Sequence, residues 1–287
     1  AVELVDKHVA RGRGQHTAIV YGNQRISYGE LSERINRAGN LFRGLGVRME
    51  ERVVILLPDM PQWVYSFFGA MKIGAAAVPL NTNLLAKDYE YLLNDCRARV
   101  LVVHRSLLPQ IEPIRQKLKF VEHILLVDGE APGLLPYDEL LEQQSPALEA
   151  AETSKDDMAF WLYSSGTTGM PKGAVHLHHD MLVAAELYAR RTIGLREDDV
   201  SFSVAKLFFA YGLGNGLYFP LYTGGTTVLM PDRPTPEAVY ETIDRYQPTV
   251  FYSVPTSYAA LLHAAEKSGR THLGRTRMCV SAGEPLP

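Results

Sequence analysis

Short apolar runs alternate with longer amphipathic ones along this chain, and that alternation constrains the fold more than any other feature. Arg52–Leu57 (RVVILL), Ala76–Leu80, Val100–His104 (VLVVH) and His123–Val127 (HILLV) are each about five residues long, too short for helices and apolar throughout. Pro61–Lys72, Lys87–Asp95 and Ser106–Lys117 lie between them and read as helices, the first with proline at its opening position. The pattern resumes with strands at Ala159–Tyr163, Ala174–Leu177, Thr226–Leu229, Val250–Ser253 and Met278–Val280, and helices at Met181–Arg191, Thr235–Tyr246 and Thr256–Ala265. Strands without a polar face need cover on both sides, so the expectation is an α/β chain of mostly parallel β-sheets covered by helices. The looser stretch Gly129–Lys155, with Pro132, Gly133, Pro136 and Pro146, predicts a subdomain boundary near 129–157.

Composition narrows the partners. The 287 residues are 46% hydrophobic and 21% charged, ordinary globular usage. Lys plus Arg number 29 against 32 Asp plus Glu, a net charge of −3, so there is no basic excess for a phosphate backbone and no nucleic-acid partner is expected. Cys96 and Cys279 stand far apart with no metal-ligand spacing, which favours a reducing, cytoplasmic location. Leu207–Pro231 is the longest stretch without charge. It carries five glycines, Asn215 and Pro220, too many helix breakers for a membrane span, and is expected to be buried interior or pocket wall.

The strongest chemical signal is Tyr163–Gly173, YSSGTTGMPKG. Glycines let backbone N–H groups approach an anion, hydroxyls donate to phosphate oxygens and lysine adds a compact positive charge. A flexible surface turn would not need three glycines and four hydroxyls within ten residues around one lysine. The loop is not of the nucleotide-binding type that runs GK[ST] into a helix, because Gly173 follows Lys172 and the chain continues as a strand. A hairpin between two strands is expected.

YSSGTTGMPKG resembles the phosphate-binding signature of the acyl-adenylate-forming superfamily, which includes acyl- and aryl-CoA ligases, luciferases and peptide-synthetase adenylation domains. Ile26–Leu31 (ISYGEL), His178, Thr249–Leu262 and Val280–Pro287 agree with that family in order and spacing. The resemblance spans the whole chain. It implies that residues 1–287 are a partial N-terminal AMP-binding domain in two stacked subdomains, with the C-terminal domain absent. Ser164, Ser165, Gly166, Thr167, Thr168, Gly169 and Lys172 would hold ATP, with Lys172, Thr167 and Thr168 as catalytic residues. Ala282, Gly283, Glu284 and Pro285 would lie against the adenine, although read bare this segment is only a turn.

Lys206–Pro220 (KLFFAYGLGNGLYFP) sets Phe208, Phe209, Tyr211, Tyr218 and Phe219 among small residues, a composition that suits either a slot for a planar ligand or a packed core. The stretch resembles the pocket of benzoate-CoA ligases, and Lys206 agrees with that group. Phe209, Ala210, Tyr211 and Gly212 would then bind an aromatic carboxylate. The implied reaction joins the acid to AMP and then to coenzyme A, with ATP, Mg²⁺ and coenzyme A as cofactors and a small aromatic carboxylate as partner. No membrane partner is expected, and a homodimer is. The family's Mg²⁺-binding Thr-Glu pair, ribose-binding Asp and adenylation lysine would all lie past Pro287, so the fragment is expected to be inactive and the full-length protein to be the ligase. Two other readings stay open: a non-catalytic nucleotide- or acyl-binding module, and a stand-alone adenylation domain that loads a carrier protein.

Other candidates carry less. His176, His178 and His179 lack an expected acidic partner, so no metal site is assigned. Asp156–Asp157 and Asp198–Asp199 read as solvated loop charges or helix caps. Gly212-Leu-Gly214 lacks the third glycine of a dinucleotide fingerprint.

Overall fold

A computed structural model describes residues 1–164 and 169–285. Its strands, in chain order, are β1 (Thr17–Tyr21), β2 (Gln24–Ser27), β3 (Arg52–Leu56), β4 (Ala76–Pro79), β5 (Ala98–His104), β6 (His123–Val127), β7 (Leu135–Pro136), β8 (Met158–Ser164), β9 (Lys172–Leu177), β10 (Val200–Ser203), β11 (Thr226–Val228), β12 (Val250–Ser253) and β13 (Met278–Ser281). They form two sheets, ordered β7-β6-β5-β3-β4-β8-β9 and β13-β12-β10-β11-β1-β2. All pairings are parallel except the hairpins β1/β2 and β8/β9. The expected α/β architecture is therefore present, with one sheet in each of two units.

The units are residues 1–2 with 29–180, and residues 3–28 with 181–287. The expected boundary near 129–157 is not where the chain divides. That stretch lies inside the first unit because the helix Tyr28–Gly44 grips it by its main chain. Asn36 donates to the Pro146 carbonyl at 2.7 Å, Arg37 to Glu142 at 2.7 Å, and Asn40 to Ser145 at 2.9 Å and Ala147 at 3.0 Å. A segment without regular structure can satisfy its carbonyls this way instead of in a sheet.

In the first unit the helix Pro61–Lys72 is apolar on every side and correspondingly buried, with Trp63 stacked on Phe67 at 5.0 Å and Phe67 meeting Phe160 of β8 at 5.6 Å. Each such large side chain contributes about 1.5–3 kcal/mol on burial. The other face of the sheet packs Val54, Leu101 and Leu126 against Tyr89, Leu92 and Leu93 of the helix Ala86–Asp95. The predicted helix Ser106–Lys117 is three short helical turns, Arg105–Leu107, Leu108–Ile111 and Glu112–Lys117, with Pro109 and Pro113 at two of the starts.

In the second unit β10, β11, β12 and β13 run parallel, and β1 joins β11 from the other end of the chain. Two helices start as the sequence predicts. Thr235 caps Pro236–Tyr246 by accepting from the Ala238 N–H at 3.3 Å, and Pro255 opens Pro255–Ser268. Leu207–Pro231 is mostly interior, as expected, and among the described residues no helix is long and apolar enough to cross a membrane.

Candidate active site

In the first unit the assigned residues lie on the β8/β9 pair, which sets Tyr163 opposite Gly173 and Ser164 opposite Lys172 in antiparallel register. The two predicted strands are thus present and antiparallel, at the edge of the first sheet. Ser165, Gly166, Thr167 and Thr168 lie outside the described residues. Ser164, Gly169 and Lys172 are all exposed. The two described glycines do different work. Gly169 has φ +146, which residues with a Cβ rarely adopt, and open space around it. Gly173 is there for room: a Cβ would sit 3.2 Å from Trp161 and 3.4 Å from Tyr163, whose rings lie across it. Two contacts from the helix Ala86–Asp95 reach this hairpin. Tyr163 Oη donates to Asp95 Oδ2 at 2.6 Å and Tyr91 Oη to the Pro171 carbonyl at 3.1 Å. Neither Tyr91 nor Asp95 belongs to a motif. Their i, i+4 spacing on a polar helix face is the only sequence signal.

A separate group of assigned residues belongs to the second unit, at the carboxyl ends of its parallel strands, where open α/β sheets bind ligands. Phe209 precedes the short helix Ala210–Leu213 and is 49% exposed. Ala210 is also exposed, Tyr211 half-buried and Gly212 buried. Gly212 is packed so closely that a Cβ would lie 2.1 Å from the Lys206 carbonyl oxygen. Tyr211 Oη shares its proton between the carbonyls of Ser253, at 3.1 Å, and Val280, at 3.2 Å. Burial pushes its pKa up, so it remains a donor. This bond ties the predicted aryl stretch to β12 and β13, and Ala282–Pro285 follows β13 directly. The two segments assigned from sequence to substrate and adenine therefore share one anchor. Within the second, Glu284 accepts from Thr256 Oγ1 at 3.0 Å.

Not every aromatic residue of the stretch belongs to a slot. Phe208 and Phe219 are each only 6% exposed, and Phe219 packs edge-on against Tyr218 at 4.7 Å in a cluster with Tyr252 and Val250. They are core. Lys206 Nζ donates to the Met230 and Asp232 carbonyls, the latter at 2.7 Å, and so braces the loop after β11. Two cavities of the second unit, about 330 and 260 Å³, contain none of the assigned residues. Met230, Asp232 and Arg245 line the first, and His16, Arg25 and Thr226 the second.

Two further expectations need correcting. The histidines do have acidic partners: His176 Nδ1 meets Asp180 Oδ2, His179 Nε2 meets Asp180 Oδ1 and His179 Nδ1 meets Asp156 Oδ1, each at 3.2 Å. Even so, no group of three or more metal-ligating side chains is arranged to hold an ion among the described residues. His178 stands apart, its Nε2 buried with no partner, and burial lowers its pKa. Asp199 is not a solvated charge. It is 4% exposed and accepts from Thr249 Oγ1 at 2.7 Å, Arg277 Nη2 at 2.5 Å and the Arg196 N–H at 2.8 Å. Burial works to raise its pKa, but these donors outweigh it and hold the carboxyl below its ordinary value. Ser253 and Ser281, paired in register where β12 and β13 end, each carry a buried hydroxyl with no partner among the described residues. Such atoms fit a place completed by a polar ligand.

The profile of a family described as AMP-binding enzyme matches residues 6–287, and the chain belongs to that family. It is 46% identical over its whole length to the benzoate–CoA ligase of Thauera aromatica, covering 54% of that protein, and 46% identical to a 4-hydroxybenzoate–CoA/benzoate–CoA ligase of Rhodopseudomonas palustris, covering 53%. Among solved structures, an anthranilate CoA ligase in complex with anthranoyl-AMP superposes with a TM-score of 0.96 at 42% identity, over 100% of this chain and 55% of that one. A benzoate CoA ligase from Burkholderia xenovorans LB400 gives 0.89 at 39%, over 99% and 55%. The chain thus spans about half the length of these relatives.

Proposed function

We propose that the full-length protein is an AMP-forming acid–thiol ligase. It would join benzoate or a close analogue to AMP at the expense of ATP, then pass the acyl group to coenzyme A. The observation that carries this reading is the Tyr211 anchor. It sets the exposed Phe209 and Ala210 beside the ends of β12 and β13, next to the segment assigned to the adenine. The aryl relatives named above support the same substrate class.

In the first half-reaction a carboxylate oxygen attacks the α-phosphorus and pyrophosphate leaves. Several negative charges meet, so positioning and electrostatics must lower the barrier. Phe209 and Ala210 would hold the ring, while Gly212 lets the backbone turn tightly behind them. Lys172 would offset polyphosphate charge from the hairpin exit, with Ser164, Ser165, Gly166, Thr167, Thr168 and Gly169 supplying donors. Ala282, Gly283, Glu284 and Pro285 would border the adenine. Mg²⁺ would accompany ATP. The described residues offer no ligand cluster for it, and no step is assigned through it.

The test is AMP formation by the full-length enzyme with ATP, coenzyme A and either benzoate or a long-chain fatty acid. Benzoate-dependent AMP release is expected. Preference for the fatty acid would overturn the aryl assignment, and transfer to a carrier-protein thiol in place of coenzyme A would favour a carrier-loading domain.

A further inference from the structure

Lys172 can serve a polyphosphate only if the hairpin that carries it is held still, yet β9 is an edge strand that pairs, among the described residues, with β8 alone. The helix Ala86–Asp95 supplies what the sheet does not. Asp95 accepts from Tyr163 Oη at 2.6 Å, on the limb that leads into Ser164. Tyr91 donates to the Pro171 carbonyl at 3.1 Å, on the other limb and one residue before Lys172. Tyr91 and Asp95 are four residues apart and so share a helix face. The opposite face, with Tyr89, Leu92 and Leu93, is sealed in the core of the first unit, which makes the helix a fixed post. Burial and the adjoining Asp95 both push the Tyr163 pKa up, so its hydroxyl keeps the proton it donates.

We propose that Tyr91 and Asp95 are positioning residues of the phosphate hairpin, pinning one limb each so that Ser164 and Lys172 are presented to the nucleotide in fixed register. The link to the nucleotide rests on the phosphate reading above, while the pinning itself does not. Tyr163 completes the arrangement, because a Cβ at position 173 would lie 3.4 Å from its ring, so the ring also occupies the space beside Gly173.

Three full-length variants test this: Tyr91→Phe, which keeps the ring and loses the donor; Asp95→Ala, which loses the acceptor; and Asp95→Asn, which keeps an acceptor. Amide hydrogen exchange is read at 172–175 and at the interior strand β3, without nucleotide, alongside KM for ATP and for benzoate. Tyr91→Phe and Asp95→Ala are expected to speed exchange at 172–175 by about fivefold, the loss of one hydrogen bond, and to leave β3 unchanged. KM for ATP should rise by about the same factor with KM for benzoate unmoved, and Asp95→Asn should restore both readouts. Unchanged exchange at 172–175, or equal acceleration in β3, would overturn the pinning. A loosened hairpin with unaltered KM for ATP would overturn the link to the nucleotide. A wild-type enzyme without ATP-dependent activity would end the phosphate reading and leave the exchange result to decide the pinning alone.

Discussion

The β8/β9 hairpin and the Lys206–Phe219 stretch meet opposite demands. The hairpin carries its polar groups on a sheet edge, with Lys172 and Gly169 exposed, and is held by its strand register and two tyrosines. The aromatic stretch is built into the interior: Phe208, Gly212, Leu213 and Phe219 are buried, Tyr211 and Tyr218 are half-buried, and Phe209 and Ala210 are exposed. A group that meets a multiply charged ligand must stay hydrated until the ligand arrives, because desolvating an unpaired charge is costly. A group that meets a flat apolar ring gains from being an extension of the core. Substitutions in the hairpin should therefore alter rate without stability, and substitutions in the stretch should alter stability first.

The largest effect is expected at Gly212. In Gly212→Val the new side chain would run into the carbonyls of Ala205 and Lys206, which are backbone and cannot swing aside. A loss of about 3 kcal/mol or more in denaturant unfolding is expected. A loss below about 1 kcal/mol would break the contrast, because the stretch would then be as adaptable as a loop.

Asp199 sharpens it from the stability side. Asp199→Ala leaves Arg277 and Thr249 without their acceptor at the foot of β13, and a loss of about 2–3 kcal/mol is expected at neutral pH. The Asp199 carboxyl is held below its ordinary value of 3.8, so its stabilisation is complete above that pH and disappears as the pH falls through the depressed value. The gap between wild type and variant, measured by urea unfolding, should narrow below pH 3.8. A gap that widens there would show that the pair does not favour the ionised form.

Lys172→Ala gives the smallest change in stability, less than about 0.5 kcal/mol, since the side chain is exposed. The adenylation rate of the full-length enzyme should nonetheless fall about tenfold, or about 1.4 kcal/mol in the barrier. A destabilised protein with an unchanged rate would reverse the comparison.

What could be read in advance follows the same division. Charge-binding chemistry is written locally, so the hairpin and its lysine were visible as a motif. Apolar chemistry is not: nothing local distinguishes Phe208 and Phe219, which face the core, from Phe209, which faces out. Parallel strands were legible where they are apolar throughout, as in β3 and β5. β10 was not, because its sequence VSFS hides a buried strand behind Ser201 and Ser203. The β1/β2 hairpin has only the turn pair Gly22-Asn23 between TAIVY and QRIS to announce it. The Asn and Arg side chains of Tyr28–Gly44 find their partners about a hundred residues away, which no local pattern signals. Asp199 was misread for a similar reason, its guanidinium partner being 78 positions downstream.

The place of β1 beside β11 has a consequence during synthesis. Thr17 accepts from Thr226 Oγ1, 209 residues later, so β1 is made long before the strand it pairs with. Throughout that wait β1 and β2 are an isolated hairpin with an open hydrogen-bonding edge, a structure that is marginal alone and prone to pair with strangers. Residues 29–180 emerge entirely within the interval, so nascent chains should show that unit protected from protease while residues 3–28 remain cleavable.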